Sequence, residues 1–302
     1  MTNIADIEKA VEQLSPEDLA KFRAWFESYR TDDGFSEQPV RSWDKFEEII
    51  AEQAEGKMRS VYRGEPQRYG LSSSLERVLR RWSITRREQT QKIERQLLRD
   101  FLRRYDGGDS ERVQNDILLA LSVMRHFGAP TRLLDFTYSP YVAARMALNS
   151  DSTGQQGRIW CFNEVWCDAA AGEIVGADLI GARNEVRNDG TFKPLYMCEQ
   201  SRKFVKLDNP FELNRRLQIQ QGLFLIPGDI GSSFVDNVKA MNGWNSRGNI
   251  LRLRLELGDQ DPRDFALRLL RMNVDSAALF PGLDGACKSL GERIPLLIQQ
   301  QD

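Results

Sequence analysis

Three short segments of the chain carry polar side chains whose types and spacing could bind or transform a small molecule. The first is Tyr62-Arg63-Gly64. An arginine fork there could hold a phosphate or a carboxylate, and the glycine would let a ligand approach the main chain. Alone the tripeptide is a very weak signal, and an ordinary surface arginine before a turn is the alternative explanation.

The second segment runs from Arg125 to Pro140 and is dense in polar groups, on a predicted loop between two apolar helices. Such loops often form binding sites. His126 is the only histidine of the chain, and its unperturbed pKa would lie near neutrality. A packed histidine and a structural ion pair between Arg132 and Asp135 are the simpler explanations.

The third segment runs from Arg216 to Phe224 and places Gln220 and Gln221 before a glycine and an apolar strand. A glutamine side chain both donates and accepts hydrogen bonds, which suits a ribose hydroxyl or an amide. A capped turn is the alternative explanation.

Hydrophobic spacing predicts the elements that would position these segments. A short strand at about residues 59–63 precedes Gly64, and Ser139 with Pro140 begins a helix through Ala147. Leucines alternate with charged residues over 250–257, as in a half-buried strand. The fold class is therefore α+β, with helices early and strands mostly late. Further strands are predicted at 158–163 and 223–226, and helices from Ser42, Thr85 and Ser110 and over 262–272 and 284–292.

The chain is predicted to form two domains, residues 1–38 and 39–302. The first is a helical hairpin with apolar stripes, ending in the linker sequence TDDGFSEQP at residues 31–39. Its stripes suit docking on the rest of the chain, dimerisation, or binding of a partner such as an antitoxin or a chaperone.

Charge is spread unevenly along the chain. The net charge is -2, from 42 basic and 44 acidic residues, so global charge does not make the protein a nucleic-acid binder. Residues 1–58 carry a net charge of -7, with 14 acidic and 7 basic residues, whereas residues 76–104 carry +6, with 10 basic and 4 acidic residues. Solvated helical faces are the simplest explanation. The sharper one is a nucleic-acid footprint on the helices between Arg77 and Arg104.

Several classes of protein are excluded by composition. No apolar run is long enough to span a bilayer, and the N-terminus lacks a secretory signal. A single histidine and no CxxC pair argue against a metal site. We expect a cytoplasmic protein with reduced thiols, no metal and no membrane contact. The four cysteines are Cys161, Cys167, Cys198 and Cys287.

Together the segments resemble the FRG domain family, which is named for its aromatic-Arg-Gly tripeptide. In this sequence the resemblance covers about residues 42–292 and rests on ordered motifs. They are Tyr62-Arg63-Gly64 followed by Leu71–Arg77, the run His126–Asp135 followed by Ser139-Pro140, the set Arg216, Gln220, Gly222 and Phe224, and the ending Leu279–Gly285.

Members of this family are mostly bacterial and phage proteins, often near defence or toxin loci. Their layout is similar to that of ADP-ribosyltransferases. The resemblance therefore implies a helical N-terminal half packed on a mostly antiparallel, ADP-ribosyltransferase-like β core, and NAD as co-substrate. The residues it implies for catalysis are Arg63, His126, Asp135 and Gln220. Those it implies for cofactor binding are Tyr62, Arg63, Gly64, Thr131, Arg132, Thr137, Ser139 and Phe224.

Gln220 departs from the transferase pattern, because it stands where those enzymes place a catalytic glutamate. Cleavage of the nicotinamide–ribose bond builds positive charge on the ribose, which a carboxylate stabilises. A glutamine can hold a ribose hydroxyl but cannot act as a base. Asp135, Glu65 or His126 would have to supply that function, or the reaction is slow or absent; loss of one such group typically costs ~10²–10³ in rate.

Three functions remain open from the sequence. The first is an NAD-dependent ADP-ribosyltransferase, a toxin or anti-phage defence effector that modifies RNA, DNA or protein. The second is a metal-independent ribonuclease using His126 with Arg63 and Arg132. The third is a non-catalytic module that binds a nucleotide and signals through the N-terminal hairpin.

Overall fold

The structure is a computed structural model that describes most of the chain. The described residues are 11, 13–15, 18–19, 34–55, 59–66, 70–148, 157–184, 189–200, 202–211, 214–246, 248–257, 261–294 and 297. The chain divides into two compact units, residues 1–36 and 37–302.

The predicted helical hairpin lies largely outside the described residues. Within the smaller unit, Ser15 Oγ accepts a hydrogen bond from the main-chain N–H of Asp18 at 3.1 Å. This bond is the local N-cap contact that satisfies a free amide at a helix start.

The larger unit is built on one seven-stranded sheet. The strand order is β1-β7-β4-β2-β3-β6-β5; β1 and β7 are parallel, and all other neighbours are antiparallel. The strands are β1 (Glu37–Val40), β2 (Ser60–Pro66), β3 (Leu134–Thr137), β4 (Gly157–Asn163), β5 (Val205–Asp208), β6 (Gly222–Pro227) and β7 (Ile250–Leu255).

Fourteen α-helices accompany the sheet in the described part of this unit. The α+β class and the mostly antiparallel sheet are thus confirmed. Helices occur in both halves of the chain, however, since eight of them follow β4. They are α1 (Trp43–Glu55), α2 (Ser74–Arg81), α3 (Arg87–Leu102), α4 (Ser110–Asn115), α5 (Ile117–His126), α6 (Pro140–Ala147), α7 (Glu164–Val175), α8 (Ala177–Asn184), α9 (Phe192–Tyr196), α10 (Arg215–Ile219), α11 (Phe234–Lys239), α12 (Asp261–Arg271), α13 (Ser276–Leu279) and α14 (Leu283–Glu292).

Strand β1 lies in the segment that composition predicts as a linker. Glu37 is paired with Arg252 and Val40 with Leu255, so β1 forms a parallel edge beside β7. The prediction of a linker through Pro39 is therefore wrong for its last three residues. Their partner strand lies more than 200 residues away in the sequence, and local composition carries no signal of such a pairing.

Helix α6 packs directly on β2 and β4 because two glycines of those strands lack side chains. A Cβ on Gly64 would lie 1.7 Å from the main-chain oxygen of Ala143, and a Cβ on Gly157 would lie 2.2 Å from that of Ala147. Tyr62 faces the same side and is buried in the core formed by α1, α6 and α12. The close approach explains why α6 is rich in alanine.

Strand β7 is buried on both faces rather than on one. Leu253 and Leu255 belong to the core, as the alternation predicts. Arg252 on the opposite face is also buried, with 1% exposure, where it pairs with Glu37 and lies over the ring of Trp160. The prediction of a half-buried strand is therefore wrong at Arg252, because Glu37 on the neighbouring strand β1 supplies a counter-charge.

Within the described residues, no helix combines the length and the apolar character that crossing a bilayer would require.

Candidate functional site

A cavity of about 240 Å³ unites the second and third polar segments. It lies between α5 and α10, with β3 and β6 as its floor. Its lining consists mainly of charged and polar side chains: Ser122, Arg125, His126, Gly128, Asp135, Asn214, Arg216, Leu217, Gln220 and Phe224. We call this cavity the Asp135 pocket.

Asp135 is the acidic group of the pocket, and Arg125 fixes its orientation. Arg125 donates from Nη2 and Nε to Oδ2 of Asp135 at 2.6 and 3.1 Å. Among the described residues nothing donates a hydrogen bond to Oδ1, and the side chain is 37% exposed. Burial raises the pKa of Asp135, but Arg125, followed by Arg63 and Arg216, outweighs burial and holds the pKa below its usual range. The pocket therefore contains an ionised carboxylate with one oxygen available.

Arg216 is a second cation of the pocket and lies on α10. Asn214 caps this short helix by accepting from the amide of Leu217 at 2.9 Å. The guanidinium of Arg216 lies 4.8 Å from the ring centre of Phe280. Burial lowers its pKa and Asp135 opposes that shift. Within the described residues no acidic side chain comes within 4.0 Å of it, so its donors remain available to an anion.

His126 is the last residue of α5; it lines the pocket and is exposed to solvent. Its ring meets that of Phe127 edge-on at 5.0 Å. Partial burial, and then the charge of Arg216, lower its pKa from the ordinary value of 6.5. His126 is consequently neutral at pH 7 and able to accept a proton.

Gln220 lines the pocket but is tied to the C-terminal part of the chain. Its Nε2 donates to the main-chain oxygen of Leu279 at 3.0 Å. Its own main-chain oxygen accepts from Thr137 Oγ1 at 2.6 Å, and Thr137 Oγ1 in turn accepts from the amide of Ser139. Ser139 Oγ caps α6 through the amide of Val142 at 3.3 Å. Thr137 and Ser139 thus fasten the loop, and neither lines the pocket.

Arg63 supports the pocket from the neighbouring strand. Strands β2 and β3 pair only where Tyr62 faces Thr137. Beyond that position, Nη1 of Arg63 donates to the main-chain oxygen of Asp135 at 2.8 Å. Burial lowers the pKa of Arg63, and Glu65 and Asp135 oppose that effect. Arg63 therefore fixes the strand that carries Asp135 and lies outside the lining of the pocket.

Glu65 lies away from the pocket and is fully buried, with 1% exposure. Its Oε1 accepts from the indole N–H of Trp160 at 2.7 Å, and its Oε2 lies 3.6 Å from Nε of Arg63. Of the groups that could replace a catalytic glutamate, the pocket contains Asp135 and His126.

Thr131 and Arg132 are buried on another side of the loop. Arg132 has no exposed surface and forms an ion pair with Glu94, with its Nε 2.6 Å from Oε1, and it also donates to the main-chain oxygen of Tyr196 at 2.8 Å. The main-chain amide of Thr131 donates to Ser74 Oγ at 3.1 Å. The alternative explanation of an ion pair between Arg132 and Asp135 is wrong, because Arg132 pairs with Glu94 and Asp135 pairs with Arg125.

The cofactor-binding roles expected at the first segment are also revised by these contacts. The side of Gly64 that a ligand would approach is occupied by α6, and Tyr62 is buried under the same helix. Phe224, paired with Asp135 across β3 and β6, is buried and forms part of the pocket wall.

Four polar lining side chains are not among the candidate site residues predicted from the sequence: Ser122, Arg125, Asn214 and Arg216. Arg125 and Arg216 open the second and third segments, so their positions carried a signal. Ser122 lies in an apolar helix and carried none. It is buried, and its Oγ makes no hydrogen bond to any described residue, which leaves a polar group facing the pocket.

No group of three or more His, Cys, Asp or Glu side chains in the described part of the chain is arranged to hold a metal ion.

The fold and the pocket define an α+β protein with a cationic, carboxylate-containing cavity. The FRG domain family model matches residues 58–156, and this segment of the chain is an FRG domain. The match includes the first and second polar segments and leaves the third, at Arg216–Phe224, outside. No curated protein and no solved structure matches the chain.

Proposed function

We propose that the protein is an NAD-dependent ADP-ribosyltransferase that acts as a toxin or anti-phage defence effector on nucleic acid, with RNA favoured, or on protein. The observation that carries this proposal is the carboxylate of Asp135. It lies in one pocket with Arg216, His126 and Gln220, and Arg125 holds one of its oxygens. The pocket thus contains the carboxylate that position 220 lacks.

The residues of the pocket suit part of a dinucleotide. Arg125 and Arg216 supply positive charge for a phosphate, and the buried hydroxyl of Ser122 offers a hydrogen bond. At about 240 Å³ the cavity is smaller than the ~300–1,000 Å³ of typical ligand pockets. It would therefore enclose the reacting half of NAD and leave the adenosine half outside.

Each polar side chain has a distinct task in this reaction. NAD supplies an activated ribose carbon and nicotinamide as leaving group. Asp135, ionised at neutral pH, stabilises the positive charge that grows on the ribose. Arg125 prevents its carboxylate from turning away. The side-chain oxygen of Gln220 can accept from a ribose hydroxyl, and neutral His126 can take the proton of the incoming acceptor.

The proposal is tested with NAD labelled in its adenine ring, incubated with the full chain and with separate pools of RNA, DNA and protein. We expect nicotinamide release and transfer of label to one pool. Arg216→Ala should lower both by at least tenfold, because it removes a pocket cation that has no ion-pair partner among the described residues. Arg215→Ala removes the exposed neighbour on the same helix and should leave both unchanged.

Absence of nicotinamide release by the folded wild-type chain would contradict the proposal. RNA cleavage in samples without NAD would instead support the metal-independent ribonuclease. That second candidate is favoured by one observation, the neutral His126 beside Arg216 in a cationic pocket. Binding of NAD without any product would support the nucleotide-binding module.

A further inference from the structure

We propose that helix α3 and the groove beside it bind single-stranded RNA. The groove runs along α3 toward α4, α5 and α9 and has a volume of about 950 Å³. It is separate from the Asp135 pocket, with which it shares no lining residue. Its cationic rim is formed by Arg95, Arg99, Arg103 and Lys193. We call it the α3 groove.

The rim presents a regular row of cations. Arg95, Arg99 and Arg103 are spaced four residues apart, so they lie on one face of the helix about 6 Å apart along its axis. All three are exposed. Arg95 donates weakly to the main-chain oxygen of Met197 at 3.3 Å, and no described acidic residue forms an ion pair with Arg99 or Arg103. None of the described residues that line the groove is acidic. The row is therefore free to bind phosphates.

The floor of the groove is apolar and includes one aromatic ring. Leu98, Leu102, Ile117 and Met197 form it. Tyr105 lies at its end, with its hydroxyl donating to Asp109 at 2.6 Å, so its ring is held in place. A cationic rim above an apolar and aromatic floor is the arrangement by which proteins bind unpaired bases and their backbone together.

The cationic surface continues beyond the groove, which favours a polymer over a short peptide. A second depression of about 660 Å³ also contains Arg95 and Arg99. It adds Arg87 and Lys92 together with the acidic Glu88 and Glu199, so four basic residues outnumber two acidic ones there. An extended polyanion can contact both, since it carries one charge per nucleotide. The chain has a net charge of only -2, so the attraction is local to this surface.

Not every arginine expected in the footprint is available. Arg87 pairs with Asp229 and donates to the main-chain oxygen of Gln200 at 2.7 Å. Arg77 donates to the main-chain oxygen of Ser72 at 2.6 Å. The predicted footprint from Arg77 to Arg104 thus narrows to the exposed cations of α3 and its C-terminal end. RNA binding here does not depend on transferase chemistry; only a role in presenting the acceptor rests on the proposed function.

The test measures the fluorescence anisotropy of a labelled 16-nucleotide oligouridine titrated with the full chain in the absence of NAD. The titration is repeated from 50 to 200 mM salt, because contacts to RNA phosphates weaken as the salt concentration rises. We expect binding that weakens with salt. Arg99→Glu/Arg103→Glu should weaken it at least tenfold and reduce the log–log salt slope by about 1.4, since each contact to a single strand contributes about 0.7. Arg271→Glu/Lys288→Glu makes the same charge change on α12 and α14 and should stay within twofold.

A second pair of variants tests the floor of the groove. Tyr105→Ala should weaken oligouridine binding about tenfold, whereas Tyr105→Phe, which keeps the ring, should not. No binding by the wild-type chain at 50 mM salt, or equal losses in the two charge-reversal variants, would overturn the proposal. NAD is omitted from this binding experiment. A failure to bind oligouridine would therefore say nothing about nicotinamide release, and the two proposals can fail separately.

Discussion

The proposed chemistry of the site depends on the pKa shifts of two side chains, Asp135 and His126. Asp135 has a lowered pKa because three arginines outweigh its burial, and His126 has a lowered pKa because of partial burial and Arg216. Both shifts favour a carboxylate anion beside a neutral imidazole at pH 7. In such a pair the carboxylate of Asp135 can stabilise a developing cation while the imidazole of His126 accepts a proton.

The rate of the proposed transferase reaction should fall in acid because His126 becomes protonated. Because its pKa is lowered, the neutral basic form persists below the ordinary value of 6.5 and is lost only at lower pH. We expect kcat/KM for label transfer to be flat from pH 7 to 8 and to decrease with a midpoint below about 6.5. Asp135 stays ionised over this range, so it adds no second midpoint.

His126→Gln is the control for that profile. At pH 7.5 the kcat/KM of this variant should be lower by about 10²-fold, because general-base catalysis typically contributes that much. Its kcat/KM should also no longer decrease in acid, because the titrating imidazole is gone. His126 would not be the general base if the midpoint lay above 6.5, or if His126→Gln showed the same decrease of kcat/KM in acid as the wild-type chain.

At the scale of single residues, the sequence predicted several side chains that line one pocket. It did not predict which side chains form ion pairs. His126, Asp135, Gln220 and Phe224 do line one pocket. Arg132, however, pairs with Glu94 rather than with Asp135, whose partner is Arg125. Partner choice depends on which helix packs behind the loop, and spacing along the chain does not contain that information.

The elements that hold the site depend on one close contact between a helix and a strand. Helix α6 follows shortly after β3, the strand that carries Asp135, and it lies on β2, which carries Arg63. Gly64 allows this contact because it has no Cβ. The sequence predicts a ligand contact at Tyr62-Arg63-Gly64, whereas in the structure the glycine of this tripeptide serves the packing of α6.

Gly64→Ala should destabilise the fold strongly. Its Cβ would lie 1.7 Å from the main-chain oxygen of Ala143, so α6 or β2 must move. Overpacking of this kind costs about 1–3 kcal/mol or more, and we expect the free energy of unfolding in urea to fall by at least about 2 kcal/mol. Gly108→Ala is the control, because nothing lies within 4 Å of its added Cβ, and it should change stability by less than about 0.5 kcal/mol. Equal stability of the two variants would be incompatible with the packing described for α6.

Element prediction succeeded where the signal is local. The cap at Ser139, the strand containing Arg63 and the strands at 158–163 and 223–226 follow from residue types within a few positions. It failed at β1 and at the buried Arg252, where the stabilising partner comes from the far end of the chain. Non-local pairing is decided by the whole sheet and not by the segment itself.

At the scale of the whole molecule, the candidate site is assembled from three separate stretches of sequence. The first stretch is α5 and β3, which carry Arg125, His126 and Asp135. The second is α10, which carries Arg216. The third is α13, where the main-chain oxygen of Leu279 accepts a hydrogen bond from the side chain of Gln220. The FRG match ends at residue 156, so it covers only the first stretch. The pocket is therefore a property of the folded larger unit and not of the matched segment alone.

The most direct test of this account is the rate of nicotinamide release from NAD by Asp135→Asn. This change keeps the shape of the side chain and removes its charge, and it should lower the rate by about 10²–10³-fold. Asp264→Asn, which alters an exposed aspartate paired with Arg268 on α12, should leave the rate unchanged. A folded Asp135→Asn variant that releases nicotinamide as fast as Asp264→Asn would contradict the assignment of Asp135 as the carboxylate of the site.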